Sequence, residues 1–159
     1  MPFVYGIEGA PATPYATHAT PNTEDPTIVI RQATRGVDLQ SILVVGRGAG
    51  LTALTGIGYR VRRWTTAGTG GTGITPAPRR VGTTASTTAA DKVTAITAGT
   101  VSGAYQLGFG CGAAGPGGWV APNQDSCIHL EGGGADELDI NSVSGTASML
   151  HAVSAEIIE

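Results

Sequence analysis

Cys127, His129 and Glu131 stand at every second position, the spacing that puts three side chains on one face of a β-strand. Thiolate, imidazole and carboxylate all bind metals, so the run could begin a metal site. A zinc centre needs three or four convergent ligands, and no further donor is spaced to join these three. They read as an exposed polar strand face, and no metal or other cofactor is expected. His151, on the apolar side of the last periodic run, reads as a hydrogen-bonded core histidine, and His18 as a solvated one. Asp136, Glu137 and Asp139 follow Gly132-Gly133-Gly134 like half of a calcium loop, but one copy of such a repeat does not build a site, so they read as a charged turn.

Two glycine runs invite a phosphate-binding reading. Gly46-Arg47-Gly48-Ala49-Gly50 follows an apolar strand, yet Leu51 stands next and Gly56 and Gly58 cut short any helix. Residues 68–73 match G-x-G-x-x-G, but Pro76 and Pro78 forbid the helix whose N-terminus would hold the phosphate. Both are turns. No serine sits in G-x-S-x-G, and H-E-x-x-H, the Walker A loop and the EF-hand loop are all missing from the sequence. The spacing of Ser, His and Asp selects no triad, so an enzyme is not expected. Arg60, Arg62, Arg63, Arg79 and Arg80 are five of the nine basic residues and make the middle of the chain locally positive. They read either as a solvated strand face or as bidentate contacts to carboxylates on a protein partner, which arginine makes better than lysine.

The elements that would carry these side chains are short strands. In 159 residues, 25 are Gly and 9 are Pro, 41% are hydrophobic and only 13% charged, so the chain can fold by apolar burial around frequent turns. A net charge of −3 with a single lysine, Lys92, lacks the basic field that nucleic acid requires. No apolar run approaches the length needed to span a bilayer, and the start has no signal-peptide pattern, so neither nucleic acid nor membrane is an expected partner. Cys111 and Cys127 read as idle thiols rather than a disulfide framework.

Residues 9–26 hold four prolines and almost no large aliphatics, which predicts an extended arm over residues 1–26 that needs another surface to lie on. Phe3, Val4, Tyr5, Ile7 and Tyr15 would be its anchors. Thr27-Ile28-Val29-Ile30-Arg31 and Gln40-Ser41-Ile42-Leu43-Val44-Val45 read as strands. The second is apolar on both faces, so it lies centrally or at a subunit contact through Ile42 and Val44. Ile57, Tyr59 and Val61 alternate with Gly58, Arg60 and Arg62, which sends Arg60 and Arg62 outward. Residues 65–78 read as a long loop or an edge segment. Residues 92–98 form a weak strand, residues 101–109 give the cleanest period-2 signal and read as a core strand, and further strands follow near 119–120, 126–131, 137–143 and 146–158. The pattern predicts an all-β chain: a jelly-roll-like β-sandwich over residues 27–159 with an extended Pro-rich N-terminal arm.

Residues 59–72 (YRVRRWTTAGTGGT), with Thr75-Pro76-Ala77-Pro78, Trp119-Val120-Ala121 and the closing Glu156-Ile157-Ile158-Glu159, resemble the capsid decoration or cement proteins of tailed bacteriophages. The likeness covers residues 55–159. It implies a jelly-roll-like domain carried as a multimer, often a trimer, on the outside of the icosahedral shell, with an extended terminus reaching across the surface. Acidic residues follow the T-P-x-P segment in that family pattern, whereas Arg79-Arg80 stands here. The expected function is therefore a structural virion protein on the capsid exterior, made in the bacterial host cytoplasm. Its expected partners are the major capsid protein and its own copies in a homotrimer. The alternative is a receptor- or glycan-binding module of a tail fibre or tail tip.

Overall fold

A computed structural model describes residues 2–8, 16–18, 26–31, 34–47, 56–86, 89–92, 99–112, 116–145 and 149–159. These residues build two antiparallel sheets. In the first, the spatial order is β10 (Pro116–Val120), β4 (Val37–Arg47), β13 (Met149–Ile158), β1 (Val4–Glu8) and β7 (Ala77–Pro78). β11 (Ile128–Leu130) continues along β4 and β2 (Ala16–His18) along β13. The second sheet runs β6 (Thr72–Ile74), β8 (Ala89–Lys92), β3 (Pro26–Arg31), β12 (Glu137–Gly145), β5 (Gly56–Trp64) and β9 (Val101–Gly112). Successive strands change sheets, from β3 to β4 to β5 and again from β12 to β13, so the chain crosses repeatedly between the two layers of one β-sandwich. The one helical element among the described residues is a 3-10 turn, Gln124–Ser126.

Alternation decides which residues meet between the sheets. Tyr5, Ile7, Val153, Ala155 and Ile157 from the first sheet face Ile28, Ile30, Tyr59, Val61, Leu138 and Ile140 from the second, all buried in one cluster. Each large aliphatic group so buried stabilises by about 1.5–3 kcal/mol relative to exposure. In β4 the phase slips. Val37 and Leu39 point inward, and so do Ile42 and Val44, because the register with β13 shifts between Glu156 and Ile157 and leaves Gln40 as the extra residue of a bulge. The apparent two-sidedness of this strand is thus one inward face with a step in it. β4 is central, as expected, but Ile42 and Val44 are core residues of their own chain, which corrects their assignment to a subunit contact.

The N-terminal expectation also needs correcting. Val4–Glu8 is no arm: it pairs along its whole length with β13, from Val4 opposite Ile158 to Glu8 opposite Ser154, and its other edge pairs with β7. Phe3, Tyr5 and Ile7 alternate inward, and Tyr5 and Ile7 are buried, so they anchor the sandwich rather than a partner. Residues 16–18 pair with β13 and residue 26 opens β3, while Met1 and the stretches between these strands lie outside the described residues, Tyr15 among them. The cleanly alternating 101–109 run, expected to be a core strand, lies instead in the edge strand β9, with Leu107 and Phe109 half-buried against the core. The 65–78 segment supplies edge strands to both sheets, β6 to the second and β7 to the first.

Candidate protein-interaction surface

The outward faces of the two sheets differ in what the fold does with their polar groups. On the second sheet, Val29 lies opposite Asp139 and Asp139 opposite Arg62, while Asn141 lies opposite Arg60 and Glu137 opposite Trp64. Arg62 Nε donates to both Asp139 carboxylate oxygens at 3.0 Å, and Nη2 adds a further bond. Arg60 Nε donates to Asn141 Oδ1 at 3.1 Å. Arg31 Nη1 donates to Glu137 Oε1 at 2.7 Å and to the Gly68 carbonyl at 2.8 Å, and Gly68 N donates to Glu137 Oε2 at 3.0 Å. The 65–70 loop is therefore stitched over one end of this face, with Trp64 and Val29 buried beneath.

This face is closed around Arg62 and Asp139. Arg62 is 2% exposed and Asp139 0%. The alternation placed Arg62 on the outward side of its strand correctly, but outward is not solvent here, and the expectation of a contact arginine at Arg62 is corrected. Glu137 and Asp139 likewise belong to a strand and to buried ion pairs, not to a charged turn. Arg60 is half-buried and engaged with Asn141.

The outward face of the first sheet is open. A cross-strand row joins Ala77, Gly6, Glu156, Ser41 and Val120, and beside it Leu43 lies between Ser154 and Gly118. Ser41 Oγ donates to Glu156 Oε2 at 3.1 Å, and Arg79 Nε reaches Glu156 Oε1 at 3.1 Å. The Arg79 guanidinium crosses β1 directly over Gly6, where a Cβ would lie 2.6 Å from its Cζ, so glycine is what lets the clasp close. Leu43 is 50% exposed and Val120 68%. Together with Trp119, Gly117 and the clasp they line a groove of about 520 Å³. Arg80 is exposed just beyond it.

Farther along this face His129 Nδ1 meets Asp38 Oδ1 at 2.6 Å and its Nε2 lies 3.6 Å from Glu131. The hydrogen bond to Asp38 is the main influence raising the His129 pKa above its ordinary 6.5, with burial opposing and the negative charges of Asp38 and Glu131 assisting. Cys127 is a free thiol whose pKa is raised, first by burial and then by Asp38. The side chains of Cys111 and His151 lie outside the described residues.

Of the residues that sequence pointed to, the structure leaves Arg79 and Arg80 at an accessible surface and puts Phe3, Val4, Tyr5, Ile7, Ile42, Val44, Arg60 and Arg62 in strands or the layers against them. Leu43, Val120, Ser41 and Glu156 are the surface residues sequence reasoning missed. Leu43 and Val120 carried a signal, as apolar residues in the outward phase of their strands, whereas the polar Ser41 and Glu156 carried none. Comparison of the chain with protein-family models, curated proteins and solved structures finds no match.

Proposed function

We propose that this chain is a structural virion protein that binds the outer surface of a phage capsid and stabilises the head, with the open face of its first sheet as an interaction surface. The observation that carries a binding role is the exposed Leu43–Val120 pair in a groove whose polar groups, Ser41, Glu156 and Arg79, are already tied to one another. An apolar centre with a polar, internally satisfied rim is what a protein-binding patch requires. The capsid as destination rests on the resemblance of residues 55–159 to decoration proteins.

The test is stoichiometry and location. Purified particles carrying this chain are expected to hold many copies that remain on tail-less heads, and heads stripped of it are expected to regain thermal resistance when the purified chain is added back. A chain found in few copies that leaves with the tail would instead identify a fibre or tail-tip module binding a receptor or glycan.

A further inference from the structure

The open face of the first sheet carries its charge unevenly. At the β7 edge, Arg79 Nε is taken by Glu156, but its two Nη groups make no hydrogen bond among the described residues. The exposed Arg80 guanidinium has no ion-pair partner among them at all. Arg79 and Glu156 cancel as a pair, so Arg80 sets the net charge of this end and Arg79 adds free donors. Both backbones are held. Arg79 N donates to the Val4 carbonyl at 2.9 Å, and the Arg80 carbonyl accepts from Thr83 N at 3.3 Å in a turn whose third residue, Gly82, has the positive φ (+81°) of a type II turn. A carboxylate meeting these donors orders little backbone, and guanidinium groups are the side chains best shaped to receive it.

The opposite edge is acidic. Asp125 is exposed in the 3-10 turn that follows Val120, Glu131 is exposed beyond β11, and Asp38 lies beside it. A polyanion laid across the face would run from the arginines into these carboxylates, and the chain as a whole carries −3, so nucleic acid does not fit. An anion at the arginine end joined to an apolar group at Leu43 and Val120 does fit. The Arg79 guanidinium lies over Gly6 of β1, and Val120 lies on β10, three strand spacings or about 14 Å away. An extended peptide advances about 3.3 Å per residue, so about four residues cover that span. In an extended chain, residues four apart point to the same side, so both side chains would face the sheet.

We infer that the open face takes an extended protein segment in which a carboxylate stands four residues from an apolar side chain, the carboxylate on Arg79 and Arg80 and the apolar group between Leu43 and Val120. This rests on the binding role proposed above for the same face and names the chemistry of the partner. The residue midway between the two anchors also faces the sheet, over Ser41 and Ser154, where the row is small and polar.

The probe is a capped synthetic peptide of serines with one aspartate and, four positions on, one leucine. It is titrated to about 2 mM into the full chain while backbone amide shifts are followed by NMR, a method that reads millimolar affinities. Amides of Leu43, Val120 and Arg80 are expected to move, and those of Arg62 and Asp139 on the other sheet to stay. Lysine in place of the aspartate, or Arg80→Glu in the chain, is expected to weaken binding by about tenfold, and Leu43→Ser by a similar factor. A peptide with aspartate and leucine three positions apart sends them to opposite sides and is expected to bind more weakly than the first. Arg80 and Leu43 are exposed, and circular dichroism checks that both variants fold. No shifts at the groove, equal binding of the lysine peptide, or an Arg80→Glu chain that binds like the wild type would each overturn the inference. Retention of the chain on stripped heads, measured separately, reports on the virion role and can fail or succeed independently of the peptide result.

Discussion

Both outward faces carry an acid–base pair across neighbouring strands, yet the two pairs do different work. Asp139 and Arg62 on the second sheet are shut away, and Asp38 and His129 on the first stand half in water. A carboxylate removed from water must be neutralised by a partner, and removing that partner leaves the full desolvation cost behind. The same kind of pair at the surface is screened and worth little. Charged residues on the second sheet therefore specify how that face is covered, and those on the first are left to shape a surface that something else can touch.

The sharpest way to break this contrast is at Asp139. Replacing it with Ala takes the bidentate carboxylate away from the buried Arg62 guanidinium and is expected to cost about 3–5 kcal/mol in urea unfolding. The paired replacement Arg62→Met with Asp139→Leu removes both charges and is expected to recover most of that loss. If Asp139→Ala were nearly neutral, the face would be open to water and the two sheets would not differ in the way described.

Next in size is Ile7→Ala. Ile7 is fully buried in the layer between the sheets, so truncation is expected to cost about 2–5 kcal/mol through lost burial and a residual cavity. A detachable N-terminal arm would lose almost nothing by the same change, which makes thermal unfolding of this variant a direct choice between arm and strand.

How much of this was legible in the sequence depends on the kind of information each feature needs. The sandwich itself was visible, because β-branched and aromatic residues at alternate positions bury one face wherever they occur. The phase step at Gln40 in β4 was not, since a bulge is a property of two paired strands and only one of them is read at a time. β1 carried its own signal in Phe3, Tyr5 and Ile7, all in one phase, but the prolines from Pro11 onward dominated the reading of the whole segment. For Arg62 the periodicity gave the correct side of the strand. What it could not give is whether a second layer lies over that side, because the covering loop contacts the sheet through residues far away in sequence, such as Gly68 with Arg31 and Glu137. The groove was hidden for a related reason: Leu43, Val120 and Glu156 come from three strands that only the sheet order brings together.

Smaller effects are expected on the open face. Arg79→Ala removes a clasp in which both partners are more than a third exposed, and the loss of stability is expected to stay within about 1 kcal/mol. Gly6→Ala should reproduce much of that effect, because the new Cβ displaces the Arg79 guanidinium from above β1 and the flexible side chain swings away. A loss of several kcal/mol from either change, measured by urea unfolding, would mean the clasp is structural in the same sense as the Arg62–Asp139 pair.

The smallest expected effect is the pH dependence of His129, and it isolates the contrast between the faces most cleanly. The groups around its ring are Asp38 from β4 at 2.6 Å and Glu131 at 3.6 Å, while Cys127 lies two residues earlier on its own segment and Arg63 donates to the His129 carbonyl rather than to the ring. The hydrogen bond to Asp38 leads the influences that raise its pKa above 6.5, so the folded chain holds the proton more tightly than the unfolded chain does. The resulting stabilisation is fully present below pH 6.5 and disappears as pH rises through the folded value. With the imidazole 49% exposed, water screens most of the attraction, so the contribution is small and shrinks further in high salt. Comparing the urea midpoints of the wild type and His129→Gln at about pH 5.5 and about pH 8.5 should show a gap at the lower pH that closes at the higher one. A gap of equal size at both would mean that His129 acts through packing against Gly36 and not through its charge, and the exposed pair would then lose its place as the counterpart of the buried one.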